Sequence, residues 1–188
     1  VSQVGTWMTA VAQGWLVYQL TGSPFALGLV GFFGAIPTWF FSWTAGVVVD
    51  RISRRGLLML TQSVAMLGSL SLAALVFAGV IQPWHIILIA FLLGINNSFD
   101  ITARQTFVKD MVGKEDMLNA IALNSAIFNL SRIIGPTLAG IALALVGPGY
   151  CFLIDGLSYL AVIYCIYRMT VPPVVSAPRR GSMLADIK

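Results

Sequence analysis

Charge is what this sequence has least of. Asp, Glu, Lys and Arg make up 10% of its 188 residues, against roughly 25% in a soluble domain. So few charges cannot coat a water-facing surface. The composition therefore calls for lipid as the main solvent, in line with 58% hydrophobic residues and a mean hydropathy of +0.88. Histidine is also scarce: His85 stands alone, and no Ser-His or two-His metal pattern falls in an apolar run, so a membrane enzyme lacks a catalytic set. No phosphate-cradling Gly-Lys loop is present, which removes ATP as a driver. The two cysteines, Cys151 and Cys165, lie in one apolar stretch. One helix would hold both too far apart to pair, and no zinc or redox spacing exists, so they read as small apolar residues. No cofactor and no metal are expected. The net charge of +4 is too small to point to nucleic acid.

What the chain has in abundance is long apolar runs. A hydrocarbon core about 30 Å thick takes roughly 20 apolar residues as a helix, and turn residues cut six such runs from the sequence. The spans predicted are 1–20, 25–49, 56–80, 84–107, 117–146 and 150–169. Their punctuation is Thr21-Gly22-Ser23-Pro24, the charged stretch Asp50 to Arg55, Gln82-Pro83, the loop Lys109 to Asp116, and Gly147-Pro148-Gly149. The fold class expected is an all-α membrane protein, a six-helix transmembrane bundle over 1–170, with 171–188 as the start of a cytoplasmic linker. The chain opens at Val1 inside an apolar run and closes in a polar, Pro-containing tail. It is therefore expected to be cut from something longer.

Basic residues set the orientation. The loops after helices 1, 3 and 5 contain no Lys or Arg, whereas ten of the eleven basic residues flank the other two loops and the tail. The positive-inside rule places those segments, and both chain ends, in the cytoplasm. Trp84 and Tyr150 then fall at the outer interface, where aromatic side chains anchor well. Arg132, deep in helix 5, is the one cation outside the pattern.

Polar residues inside the spans fall into stripes. Ser2, Thr6, Thr9 and Gln13 share a face of helix 1; Asn97, Asp100 and Arg104 a face of helix 4; Ser125, Asn129 and Arg132 a face of helix 5. Two readings stay open for the uncharged members: hydrogen bonds between helices, or the lining of a pathway. By rise per residue, Asp100 lies roughly 24 Å and Arg132 roughly 20 Å from the outer ends of their helices. Antiparallel neighbours would let them meet, which predicts an Asp100–Arg104–Arg132 cluster. A static ion pair between helices is the alternative. Asp155, about 9 Å below the outer surface, also admits two readings: a second protonatable site, or a group bonded to a neighbouring helix or snorkelling to the interface. Gly28, Gly31 and Gly34, followed by Pro37, predict close approach and a kink in helix 2. Gly135-Pro136, with Ala139 and Gly140 a turn on, predicts a bend in helix 5.

Three segments carry a family resemblance. Gly46-Val47-Val48-Val49-Asp50-Arg51-Ile52-Ser53-Arg54-Arg55 resembles motif A of the major facilitator superfamily at Gly46, Asp50, Arg51, Arg54 and Arg55. It departs at Ser53, where the pattern usually has Gly. The resemblance implies that Asp50 and Arg104 belong to a charge network that closes the cytoplasmic side. Helix 5 resembles motif C, the antiporter signature, at Gly135, Pro136 and Gly140, with the small residues Ala122, Ser131 and Ala139 at other glycine positions. The stretches Thr102 to Phe107, Asn119 to Ser125, Phe128-Asn129, and Trp7, Gln13, Trp15 to Tyr18 and Leu20 to Pro24 are similar to the enterobactin-exporter-like branch. The usual arginine in the middle of helix 4 is absent, with Arg132 as its stand-in.

The resemblance implies one half of a major facilitator fold, in a multi-pass protein of the bacterial inner membrane. By the same resemblance it would export a small amphipathic molecule, a siderophore or a drug, against protons. Gating falls to Gly46, Asp50, Arg51, Arg54, Arg55 and Arg104. The proton or substrate pathway falls to Gln13, Asn97, Asp100, Asn129 and Arg132, and the helix bend to Gly135, Pro136 and Gly140. The expected partners are membrane lipids, the small-molecule substrate and a second, C-terminal six-helix half, with no nucleic acid. The competing reading is a six-helix membrane protein with a structural or regulatory role. The motif A loop speaks against it, because such a loop has little purpose without a moving gate.

Overall fold

In the computed structural model the backbone is described for residues 2–111 and 116–168, and side chains for the same residues apart from 50, 51 and 108–111. The expected linker 171–188 lies outside them. The described residues form six helices and no strand: α1 (Ser2–Thr21), α2 (Pro24–Arg51), α3 (Arg54–Phe77), α4 (Pro83–Met111), α5 (Met117–Leu145) and α6 (Pro148–Arg168). Cys151 and Cys165 share α6 and are both free thiols.

One device makes the three turns at the end without Lys or Arg. A glycine leaves the preceding helix in the left-handed region, and a proline opens the next helix. Gly22 (φ 63°), Gly79 (φ 69°) and Gly147 (φ 84°) are followed by Pro24, Pro83 and Pro148 as first helical residues. Glycine tolerates the positive φ, and proline occupies a position whose N–H has no helical partner to lose. At the other end, α2 and α3 are joined by Ile52 and Ser53 alone. Ser53 sits at φ −58°, an ordinary angle for any L-residue, which is why serine serves where the motif usually has glycine.

The packing follows α2 against α4, α3 against α6 and α4, and α1 wedged between α5 and α6 with α2 alongside. The tightest crossing is α2 on α4. A Cβ on Gly94 would collide with the backbone oxygen of Gly34 and touch Pro37. Thr38 Oγ1 donates to the Gly94 carbonyl at 3.1 Å. Of the three glycines expected to mediate close approach, only Gly34 does so; Gly28 and Gly31 have nothing within 4 Å. The two helices with an internal proline, α2 and α5, run through Pro37 and Pro136 as single elements.

Five helices are long and apolar enough to cross a membrane: α3, α5 and α6 over their full lengths, and α2 and α4 over Pro24–Val49 and Pro83–Phe107. The expected sixth, α1, falls short because Ser2, Gln3, Thr6, Thr9, Gln13 and Gln19 dilute its apolarity. Three of them, Ser2, Thr9 and Gln13, are turned into the bundle. Ser2, Gly5, Met8, Thr9, Ala12, Gln13, Leu16 and Val17 are buried against other helices. Elsewhere the bundle is apolar outside: Phe25, Trp39, Phe40 and Trp43 of α2 are each at least 74% exposed. An exposed face of that kind is not a water-facing one. Two apolar clusters bracket the bundle. One gathers Met8, Leu16, Val17, Leu72, Ile86 and Phe152; the other gathers Val49, Leu57, Leu58, Ala103, Phe107 and Ile166 near the basic end.

Candidate functional site: a polar seam through α1, α3, α4 and α6

Between the two clusters lies a seam of polar side chains centred on α3. Its first centre is Asp100 of α4. One carboxylate oxygen, Oδ1, accepts from Thr61 Oγ1 at 2.9 Å and from Gln62 Nε2 at 2.6 Å. The other, Oδ2, accepts from Arg104 Nη2 at 2.8 Å. Asp100 and Arg104 are one turn apart in the favourable acidic-then-basic order. Asn96 Nδ2 donates to the Thr61 carbonyl at 3.0 Å, fastening α4 to α3 a turn higher. Both carboxylate oxygens of Asp100 thus meet donors, one of them a cation, so its charge is compensated and held.

The second centre is Asp155 of α6, only 1% exposed. Its Oδ2 accepts from Thr9 Oγ1 of α1 at 2.8 Å and from Ser69 Oγ of α3 at 2.7 Å. Three helices therefore meet on one carboxylate oxygen. One turn further along α6, the Tyr159 hydroxyl lies 3.0 Å from Thr6 Oγ1. Tyr159 thus ties α6 to α1 one turn from Asp155. Gln13, one turn beyond Thr9 on α1, is buried with no hydrogen-bond partner for its Nε2.

Some sequence-predicted residues meet here and others do not. Asp100 and Arg104 pair as their spacing requires. Arg132 does not join them: it is exposed on α5, with its guanidinium carbon 5.8 Å from the Trp7 ring centroid. The reason is topological, since the faces of α4 are taken by α2 and α3, and α5 packs on α1. Asn97 is exposed, and its neighbour Asn96 makes the contact with α3. Ser125 and Asn129 are exposed as well. On α5 the buried residues are Ser131, Gly135 and Ala139, one face of small residues. A Cβ on Gly135 would meet Trp7 Cβ and the Val4 carbonyl oxygen of α1. Gly140 faces open space. In the α2–α3 region, Gly46 has nothing near its Cα face, and Arg55 Nη2 donates to the Tyr167 carbonyl at 2.5 Å. The side chains of Asp50 and Arg51 lie outside the described residues, and with them the expected Asp50–Arg104 contact. Thr61, Gln62, Ser69 and Tyr159 were not singled out from sequence. Their spacing on α3 (62 to 69, two turns) was a readable signal. The described residues hold no group of three His, Cys, Asp or Glu arranged for a metal ion.

An apolar helical bundle with a polar seam is a frame that many membrane proteins share, so sequence comparison has to choose among them. A sequence profile described as transmembrane secretion effector matches residues 1–180. The chain belongs to that family, a transporter family of the major facilitator superfamily. Within it, the relatives place the chain in the enterobactin-exporter-like branch. The chain is 30% identical over 165 residues to the staphyloferrin A transporter of Staphylococcus aureus, covering 87% of this chain and 42% of the relative. It is 29% identical over 148 residues to the multidrug efflux pump Tap of Mycolicibacterium fortuitum, covering 76% and 36%. To the enterobactin exporter EntS of Salmonella paratyphi A it is 24% identical over 174 residues, covering 90% and 38%. The chain thus spans about two-fifths of the length of these relatives. As a member of this transport family it is a multi-pass membrane protein.

Proposed function

We propose that this chain is the N-terminal six-helix half of a proton-coupled exporter of small amphipathic molecules, siderophores or drugs, in a bacterial inner membrane. The observation that carries the reading is the polar seam: two acidic residues, Asp100 and Asp155, fixed inside an otherwise apolar bundle of this transporter family. Intramembrane carboxyls are costly and are kept where protons, ions or substrates pass. Residues 1–170 form the bundle in this reading, α1 is its sixth span, and 171–188 lead towards a second half. Both chain ends lie in the cytoplasm, because Arg54, Arg55, Arg104 and Arg168 gather at one end of the helices.

Sites in such transporters lie between the halves near the midplane. The exposed Asn97, Asn129 and Arg132 would face that shared space, together with the buried Gln13 amide at its edge. Arg104 is then the movable partner of the gate, bound to Asp100 here and offered to Asp50 in another state, with Gly46, Arg51, Arg54 and Arg55 in the same cytoplasmic network. Gly135, Pro136 and Gly140 supply the compliance of α5 as α1 and α5 shift.

The test is export from cells expressing the full-length protein. Staphyloferrin A, enterobactin and ethidium, a lipophilic cation, would be followed with and without a protonophore. Faster, protonophore-sensitive loss of any one of them supports the reading. Equal retention of all three in expressing and non-expressing cells refutes it and favours a non-transporting bundle.

A further inference from the structure

The two intramembrane carboxyls are not equivalent. Asp100 has a cation and donors on both oxygens. Asp155 has donors on Oδ2 alone; its Oδ1 is buried with no hydrogen-bond partner. That oxygen rests against Gly5 of α1, where the missing side chain leaves just enough room for it. Among the described residues no ion pair reaches Asp155. An ionised carboxylate so placed would hold part of its charge on a buried oxygen that no side chain or backbone donor reaches, whereas binding a proton removes that charge.

The groups around it reinforce this. From α1 it meets Gly5 and Thr9, both uncharged, and from α3 it meets Ser69. The cations of α3, Arg54 and Arg55, lie about 20 Å away along the helix. On α6 itself its titratable neighbours are Tyr159, engaged with Thr6, and Cys151, whose thiol points to the Gly147 carbonyl. Asp100, with Arg104, is held by Thr61 and Gln62, about two turns from Ser69 along α3, and Arg132 of α5 faces Trp7.

We propose that Asp155, with Thr9 and Ser69, is a proton-binding site of this protein, separate from Asp100. The exchange needs no helix movement. In the ionised state both hydroxyls donate to Oδ2. In the neutral state Oδ2 carries the proton and donates it to one hydroxyl, whose own hydrogen turns to a carbonyl one helical turn back. Hydroxyls on these helices already do this: Thr6 donates to the Ser2 carbonyl at 3.1 Å and Ser63 to the Met59 carbonyl at 2.8 Å. One proton is bound or released, and one hydroxyl rotates while the other keeps donating to Oδ2. That this proton is the one coupled to export rests on the function proposed above; that Asp155 binds it does not.

The experiment is infrared difference spectroscopy on the full-length protein in lipid, titrated across the neutral range. A protonated-carboxyl C=O band is expected to grow in as the pH falls, absent in Asp155→Asn and retained in Asp100→Asn. Ser69→Ala keeps the carboxyl and removes one donor that favours its charged form, so the band should persist to higher pH than in the unsubstituted protein. This arm holds even if Asp155→Asn folds poorly. A band unchanged by Asp155→Asn, or a band in Ser69→Ala that titrates as in the parent, overturns the proposal. No substrate is needed, so failure here is distinct from failure to export.

Discussion

Gly5 and Asp155 are in direct contact: the Cα of Gly5 closes over Oδ1 of the carboxyl, and a methyl group there would overlap it. The contact sets how closely α1 approaches α6, and so whether Thr9 reaches Oδ2 at 2.8 Å. Gly5→Ala should push the two helices apart. The expected loss is about 1–3 kcal/mol, the usual scale for overpacking, with the seam on α1 disrupted. Thermal unfolding of the detergent-solubilised protein measures it. Gly31→Ala, whose added methyl would meet open space, is the matched control and should melt as the parent does or slightly higher, by the helix preference of alanine.

Gly94 makes the corresponding contact between α2 and α4. Its added Cβ would meet backbone rather than a flexible side-chain end, so the helices themselves must move. Gly94→Ala should therefore cost about 2 kcal/mol or more and lower the yield of folded protein. Gly28→Ala, with open space at the added methyl, should lower neither. Size-exclusion profiles and melting curves of the pair decide the point.

Asp100 offers a graded test of its hydrogen bonds. Asn keeps a carbonyl oxygen for Thr61 and Gln62 but gives up the charge that Arg104 answers. Leu removes every acceptor and strands the donors. Asp100→Asn should cost about 1 kcal/mol and Asp100→Leu about 3 kcal/mol, since unmade buried bonds cost more than weakened ones. Equal losses in chemical denaturation would mean that the donors find other partners.

Ser53 is the departure from motif A. At φ −58° it uses nothing that glycine alone supplies. Restoring the motif with Ser53→Gly should therefore leave the melting temperature unchanged or slightly lower, by less than about 1 kcal/mol, through added freedom of the unfolded chain. A clear gain in stability would show that the link between α2 and α3 prefers another backbone geometry.

The helices were legible because their signals are local. The Gly22–Pro24, Gly79–Pro83 and Gly147–Pro148 pairs end one element and start the next within a few residues, and the apolar runs between them need no partner to be recognised. Asp100–Arg104 was legible for the same reason, being one turn apart. The partners across helices were not. Sequence order made α4 and α5 neighbours and so drew Arg132 towards Asp100. In the fold, α3 supplies Thr61 and Gln62 instead, and Arg132 stacks on Trp7. A stripe tells which face of a helix is polar; only the packing angles tell what that face meets. The depth of Asp155 could be counted from Pro148, but the convergence of Gly5, Thr9 and Ser69 on it comes from three helices far apart in sequence.

The most direct test of the account is transport by the full-length protein in proteoliposomes with an acidic lumen. Protons leaving down their gradient should drive ethidium, enterobactin or staphyloferrin A inward above its outside concentration, and dissipating the gradient should abolish the accumulation. Accumulation no greater than in protein-free liposomes for all three, or accumulation that survives the loss of the gradient, would contradict it.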